Sequence, residues 1–263
     1  MTVAYDGTDY AGWQIQIGQP TIQGRLERAI AKLTGQRIRI TGSGRTDSGV
    51  HAVAQVASLT TDAWRAPAGA LARAMNTKLP PDIAVLDCQE MRLGFHAIRD
   101  ATGKRYRYQL QVGGVRDALQ QRYRLHIPWQ LETDLMRQAA ERFVGEHDFA
   151  SFQAAGGKTK TTVRHVRELR LREQQGRGGS RELDIEIEAN GFLYNMVRNI
   201  VGTLLEVGRG KFPPPWVDEV FAARDRDRAG NTAPPQGLFL VNVDYPQELK
   251  LENEAVDSRT STT

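Results

Sequence analysis

The 263-residue chain reads as an α+β protein built from two sheet-and-helix lobes, and three features predict this. Several short runs place apolar residues at every second position, the period of a half-buried strand. Between them lie stretches with helical spacing, opened by Thr or Pro and closed by Gly or Pro. Each half supplies strands of antiparallel type and at least two helices, so mostly antiparallel sheets are expected, with a cleft between the lobes. The expected divisions are an N-terminal lobe over 1–102, a C-terminal lobe over 103–246 and a polar, aperiodic, disordered tail over 247–263.

Met1 to Tyr5 is a short first strand. Thr21 is a good N-cap for a helix in which Ile22, Leu26, Ala29, Ile30 and Leu33 share a face until Gly35 closes it. Arg37 to Thr41 alternates polar and apolar residues, Val50 to Leu59 returns as a strand, Pro67 to Lys78 is a second helix, and Ile83 to Met91 a further strand. Thr133 is expected to cap a helix running to Val144. Thr161 to Leu171 and Glu182 to Ala189 form a hairpin across a Gly-rich loop, 172–181. Helices are expected at Phe192 to Val207 and Pro213 to Ala223, and a last strand at Gly237 to Tyr245.

Residues 42–52, Gly-Ser-Gly-Arg-Thr-Asp-Ser-Gly-Val-His-Ala, crowd one carboxylate, Asp47, between three glycines, two hydroxyl residues and Arg45. Glycines permit positive φ and close backbone approach, and Arg45 can grip a phosphate or favour an ionised Asp47. The same residues also suit an ordinary Asx-type turn.

From Lys104 to Val112 the period of two puts Tyr106, Tyr108, Leu110 and Val112 on one face and Arg105, Arg107, Gln109 and Gln111 on the other. Such a strand can stack a base on a ring and hold phosphates with Lys104, Arg105 and Arg107, or it can simply bury Tyr and solvate Arg. The helix at 192–207 is apolar around most of its circumference, interrupted by Arg198 and Asn199. An Arg in a buried helix needs a carboxylate partner, and Asp47 suits; alternatively Arg198 sits on an exposed edge.

Composition narrows the chemistry. One cysteine excludes an internal disulfide and a thiolate cluster, and the five His show no ligand spacing, so no metal is expected. No stretch has the length of a membrane span or the pattern of a secretion signal, and a cytoplasmic location is expected. Residues 1–124 hold 17 Lys+Arg against 10 Asp+Glu, whereas 125–263 hold 18 against 21, so the basic surface belongs to the first half. Of the cations, 28 are Arg, the residue suited to phosphate and base stacking.

The chain resembles the tRNA pseudouridine synthase A (TruA) family. The resemblance is carried, in order, by Tyr5-Asp6-Gly7, Gly12-Trp13-Gln14, Gly44-Arg45-Thr46-Asp47-Ser48-Gly49-Val50-His51, Leu79-Pro80-Pro81-Asp82 and Phe95-His96-Ala97. It continues through Lys104 to Tyr108, Gly145-Glu146-His147-Asp148-Phe149, Met196 to Gly202 and Gly237-Leu238-Phe239-Leu240, and spans roughly residues 3–246. The first strand is shorter than relatives usually have and is expected to be cut short or frayed.

This resemblance implies RRM- or ferredoxin-like halves and isomerisation of uridine to pseudouridine at positions 38, 39 and 40 of the tRNA anticodon stem-loop, without cofactor or metal, by a homodimer that lays tRNA across both subunits. By motif position it implies Asp47 as the catalytic carboxylate, Tyr106 as the ring under the flipped uracil, Arg198 as the ion-pair partner of Asp47, Leu238 as an apolar wall and Arg45 as a hold on the displaced nucleotide. Arg198 is further expected to keep the Asp47 pKa down against desolvation. Two other readings compete: a non-catalytic RNA-binding protein of the same fold, and a nucleotide-binding protein. The second lacks both a Walker lysine-hydroxyl pair and a complete dinucleotide fingerprint.

Overall fold

The computed structural model describes residues 1–157 and 159–249. Among these, ten strands form one sheet: β1 (Thr2–Tyr5), β2 (Thr41–Gly42), β3 (His51–Ser58), β4 (Ile83–Asp87), β5 (Gly103–Val112), β6 (Leu125–Ile127), β7 (Gly145–Asp148), β8 (Val163–Gln175), β9 (Arg181–Ala189) and β10 (Leu238–Asp244). The helices are α1 (Ile22–Thr34), α2 (Ala68–Asn76), α3 (Thr133–Glu141), α4 (Met196–Gly208) and α5 (Trp216–Ala223). None is long and apolar enough to cross a membrane. The α+β class is as expected, with mostly antiparallel pairing. Of the tail expected over 247–263, residues 250–263 lie outside the described residues, and Gln247–Leu249 form a short 3-10 turn.

The sheet order is β4-β1-β3-β10-β5-β9-β8-β7, with β2 added to β3 and β6 to β5. The last strand of the chain is therefore the seam. β10 runs parallel to β3 through Phe239 and Leu240, and antiparallel to β5 from Leu238 opposite Tyr108 to Asp244 opposite Gly103. It brings the strand that follows Asp47 to within one strand of the strand that carries Tyr106. The first strand is not frayed, because β1 is paired on both sides, to β3 and to β4.

Local chemistry explains the elements that flank the site. Thr21 caps α1 by accepting from the Gly24 N–H at 3.3 Å, and Gly35, at φ 72°, closes it with an N–H to the Ala31 carbonyl. Ile22, Leu26, Ala29 and Ile30 form its buried face. Helix α4 is buried nearly all round, with Ile200, Leu204 and Val207 all at 1 % exposure or less. Burying a side chain of that size contributes roughly 1.5–3 kcal/mol, so α4 is a fixed part of the scaffold.

Several expectations are corrected. The alternation at 37–41 becomes ladder only at Thr41: the Ile40 N–H goes to the Glu27 carboxylate at 3.0 Å and the Ile40 carbonyl to Gln23 Nε2 at 2.9 Å, so side chains of α1 satisfy what a ladder would have paired. Thr133 does not cap α3 but is its first residue, after Glu132. Helix α4 starts at Met196 and not at Phe192, because Asn195 has φ 57°. The Gly-rich loop narrows to 176–180, since cross-strand pairs such as Arg181 to Glu173 at 2.8 Å extend the hairpin. β6 and β7 carry no clear alternation and were not expected as strands.

Candidate active site

Asp47 sits on a loop held from both sides. On the entering side the Tyr5 hydroxyl meets Thr46 Oγ1 at 2.8 Å, Ser43 Oγ donates to Gln55 Oε1 at 2.5 Å, and Gln55 Nε2 donates to the Gly44 carbonyl at 3.0 Å. The Trp13 N–H donates to the Thr46 carbonyl at 3.0 Å. On the leaving side Ser48 Oγ and the Gly49 N–H both donate to the Tyr10 carbonyl, at 3.1 and 3.3 Å. A loop with this many anchors fixes its carboxylate before substrate arrives. The three glycines serve different ends: Gly49 takes φ 77°, Gly42 leaves room for the Trp13 ring 2.5 Å from where a Cβ would be, and Gly44 leaves room for the Lys104 ammonium at 3.0 Å.

His51, just past the loop, is buried at 1 % exposure. Its Nδ1 faces the Gly7 N–H and the Asp6 carboxylate, both at 3.1 Å, while Nε2 donates to the carbonyls of Arg122 at 2.9 Å and Gln236 at 3.2 Å. The ring stacks on Phe239 with centroids 4.6 Å apart. One imidazole thus ties the Asp47 loop, the 118–123 turn and the seam strand together. Burial pushes its pKa down, with Asp6 opposing.

Arg198 reaches Asp47 from α4, Nη1 to Oδ2 at 3.5 Å, with 15 % of the Arg198 side chain and 27 % of the Asp47 side chain exposed. The expected partnership is present, but its electrostatic consequence is not the expected one. Burial pushes the Asp47 carboxyl up, and a guanidinium at 3.5 Å, also engaged elsewhere, offsets only part of that. Two further acceptors orient Arg198: Nε donates to the Ala233 carbonyl at 2.7 Å and Nη1 to Asn195 Oδ1 at 3.1 Å. The segment carrying Ala233 is itself strapped to α4, since Asn199 Oδ1 accepts from Thr232 Oγ1 at 2.7 Å and from Arg226 Nη2 at 3.0 Å.

Tyr106 packs edge-on against Phe192, with centroids 5.0 Å apart and 8 % of its surface exposed. Burial, with Tyr5 and the Asp47 carboxylate adding, pushes its hydroxyl pKa well up, so it stays protonated. Its hydroxyl makes no hydrogen bond among the described residues, which leaves it available to a substrate. Leu238 is buried opposite Tyr108 in the β5–β10 pair, two register steps from the Leu240–Tyr106 pair. Arg45 is exposed and makes no ion pair among the described residues. The described residues hold no cluster of three His, Cys, Asp or Glu side chains suited to a metal.

The cations of β5 divide. Arg105 meets Glu188 at 2.5 Å and Arg107 meets Glu186 at 2.7 Å, on the sheet face opposite Tyr106. Both lie on the face expected for them, where acids of β9 meet them across the ladder, so the cations offered to RNA phosphates already have carboxylate partners. Lys104 instead shares the Tyr106 face, where Nζ donates to the Ser43 carbonyl at 2.7 Å and burial pulls its pKa down to about 8. Asn195 and the Ala233 carbonyl were missed at the sequence level. An Asn directly before a helical run, one of the few residues at ease with positive φ, was the available signal for the first.

Two kinds of similarity accompany this geometry. The family described as tRNA pseudouridine synthase matches residues 1–98 and 139–246. A protein of Caldicellulosiruptor bescii named tRNA pseudouridine synthase A is 44 % identical over 245 residues, covering 93 % of this chain and 98 % of the relative. A protein of the same name from Methylococcus capsulatus is 43 % identical over 254 residues, covering 97 % and 92 %. The loop that presents Asp47, helix α4 with Arg198 and the seam strand β10 fall within the matched segments, β5 with Tyr106 lies between them, and the chain belongs to the tRNA pseudouridine synthase family.

Proposed function

We propose that this protein isomerises uridine to pseudouridine in tRNA, at positions 38, 39 and 40 of the anticodon stem-loop, with Asp47 as the catalytic carboxylate. The observation that carries the assignment of Asp47 is its place on a rigid loop, partly exposed, with Arg198 3.5 Å away. The reaction breaks the bond from C1′ to N1, turns the uracil and joins C1′ to C5; N1 gains a proton and C5 loses one. No net oxidation occurs. One ionised carboxylate that attacks carbon or removes a proton can serve this sequence.

A uridine within a stem must leave its stack to reach Asp47, at a cost of about a few kcal/mol, and stacking on the Tyr106 ring recovers roughly 1–3 kcal/mol. Leu238 backs the same pocket, and Arg45, exposed on the loop, holds the displaced nucleotide by its phosphate. Lys104 adds a cation beneath the loop. Arg105 and Arg107 remain structural ion-pair partners of β9. The working form is a cytoplasmic homodimer with tRNA lying across both subunits.

The test uses an unmodified tRNA transcript with uridines at 38 to 40, incubated with the protein or its Asp47→Asn variant, and maps pseudouridine by carbodiimide adduct and primer extension. Stops at these positions that require Asp47 are expected. Bound tRNA without stops, from folded protein, would favour the non-catalytic RNA-binding reading.

A further inference from the structure

Cations of this protein fall into two populations. Across the face of β5, β8 and β9 away from Tyr106, Arg105, Arg107, Arg167, Arg170 and Arg172 each meet a carboxylate. Residues 20–45 are different: they hold six cations, Arg25, Arg28, Lys32, Arg37, Arg39 and Arg45, and one acid, Glu27. This local balance of +5 exceeds the +4 of the whole chain. All six cations are exposed, and none forms an ion pair among the described residues. The Glu27 carboxylate is turned to the protein, where it accepts from Gln23 Nε2 and from the Ile40 N–H, both at 3.0 Å.

Helix geometry orders these charges. Arg25, Arg28 and Lys32 stand at i, i+3 and i+7, one side of α1, opposite the face that buries Leu26 and Ile30. The 13 residues of α1 extend about 20 Å, long enough to follow several successive phosphates. The helix begins at the catalytic loop: the Ile22 N–H donates to the Gly12 carbonyl at 3.1 Å, and the next residue, Trp13, donates to Thr46. Arg25 also lies against the Tyr10 hydroxyl, and the Tyr10 carbonyl anchors Ser48 and Gly49.

We infer that the outer face of α1, with Arg37 and Arg39 beyond it, is a phosphate-binding ridge for the RNA strand that runs away from the target uridine. The inference rests on the RNA-modifying reading above and adds a surface to it. An uncompensated row of like charges destabilises the compact state through self-repulsion unless a polyanion meets it, and guanidinium groups match phosphate oxygens in a bidentate way. The ridge starts where a flipped nucleotide would sit, so a single strand can occupy both. Its contribution is sequence-independent: it raises affinity and leaves the chemical step alone.

The test compares wild type with Arg25→Gln/Arg28→Gln/Lys32→Gln, and with Arg37→Gln/Arg39→Gln off the helix, for binding to an unmodified tRNA transcript over a range of salt concentrations. Each lost phosphate contact lowers the slope of log Kd against log salt by about 0.7–0.9, so the triple variant is expected to lose roughly two. Its Kd at moderate salt rises about tenfold or more, KM rises with it, and kcat at saturating tRNA is unchanged. Neutralising Arg167, Arg170 and Arg172 together, on the paired population, leaves the slope within error of wild type. An unchanged slope in both ridge variants overturns the ridge while the function stands. An equal loss in the control also overturns it, since net charge alone then explains the effect. A wild type that binds no tRNA overturns the ridge and the functional reading together.

Discussion

Arg198 offers one nitrogen to two acceptors: Nη1 lies 3.5 Å from Asp47 Oδ2 and 3.1 Å from Asn195 Oδ1. The closer acceptor is the neutral amide, and the Ala233 carbonyl fixes Nε at 2.7 Å. The guanidinium is thus aimed by its own helix and the strap beside it, and its ion pair with Asp47 is loose. A loose pair suits a carboxylate that must later engage a substrate, because a tight bidentate pair would occupy both oxygens.

Asn195→Gly isolates that aiming. Glycine keeps the positive φ of the position at no steric cost and deletes only the amide. Stability is expected to change by about 1 kcal/mol or less, as for one neutral hydrogen bond. By contrast kcat should fall about tenfold with little change in KM, and the acid limb of its pH profile should move as Arg198 finds a new position. Release of tritium from tRNA labelled at uridine C5 reads both parameters; an unchanged kcat and limb would leave Asn195 as a backbone device only.

The pH dependence has a definite sign. In the proposed reaction Asp47 must be ionised, and burial, partly offset by Arg198, holds its pKa above the usual carboxylate value. Activity should therefore rise with pH through a limb that lies above about 4, the ordinary Asp range. Arg198→Met removes the offset and leaves burial unopposed, so the limb moves to higher pH, by about one unit or more. A limb that moves down or stays put would show that Arg198 does not act on the Asp47 charge.

Tyr106 separates ring from hydroxyl. Tyr106→Phe keeps the edge contact with Phe192 and the stacking surface, whereas Tyr106→Leu removes both. The Leu variant should lose roughly 1–3 kcal/mol of base stacking, seen as weaker binding of tRNA in filter or anisotropy assays. The Phe variant should bind as wild type does, and any loss confined to its kcat then belongs to the free hydroxyl. Equal binding by all three proteins would remove Tyr106 from beneath the base.

The limits of reading this sequence follow from the range of the interactions involved. The caps of α1, the inward turn of Tyr106 and the partnership of Arg198 with Asp47 were legible because each depends on local spacing or on the cost of burying an unpaired charge. The face of Arg105 and Arg107 was legible but their pairing was not, because their acids, Glu188 and Glu186, come from a strand some 80 residues away and only ladder register brings them opposite. Residues 37–40 alternate as a strand should, yet Glu27 and Gln23 of α1 took their backbone groups. The position of β10 between β3 and β5 is a topological fact without a local signal. The direction of the Asp47 shift depends on how burial compares with a pair at 3.5 Å, and distances are not written in a sequence.

Gly202 tests the strap that carries Ala233. A Cβ at this position would lie 1.7 Å from the Asn231 carbonyl oxygen, and one at Gly230 would lie 2.5 Å from the Gly202 carbonyl, so strap and helix touch backbone to backbone. In a helix interior Ala is ordinarily more stable than Gly by about 1 kcal/mol. Overpacking reverses the sign: Gly202→Ala is expected to destabilise by about 1–3 kcal/mol, which for a protein of this size lowers Tm by several degrees. The strap must move outward to admit the methyl group, which draws the Ala233 carbonyl away from Arg198 Nε. Turnover should then fall at temperatures where the variant is fully folded, with tRNA affinity retained, since the outer face of α1 is untouched. A Gly202→Ala protein that melts above wild type and turns over normally would show that the strap yields freely and that Arg198 needs no help from Ala233.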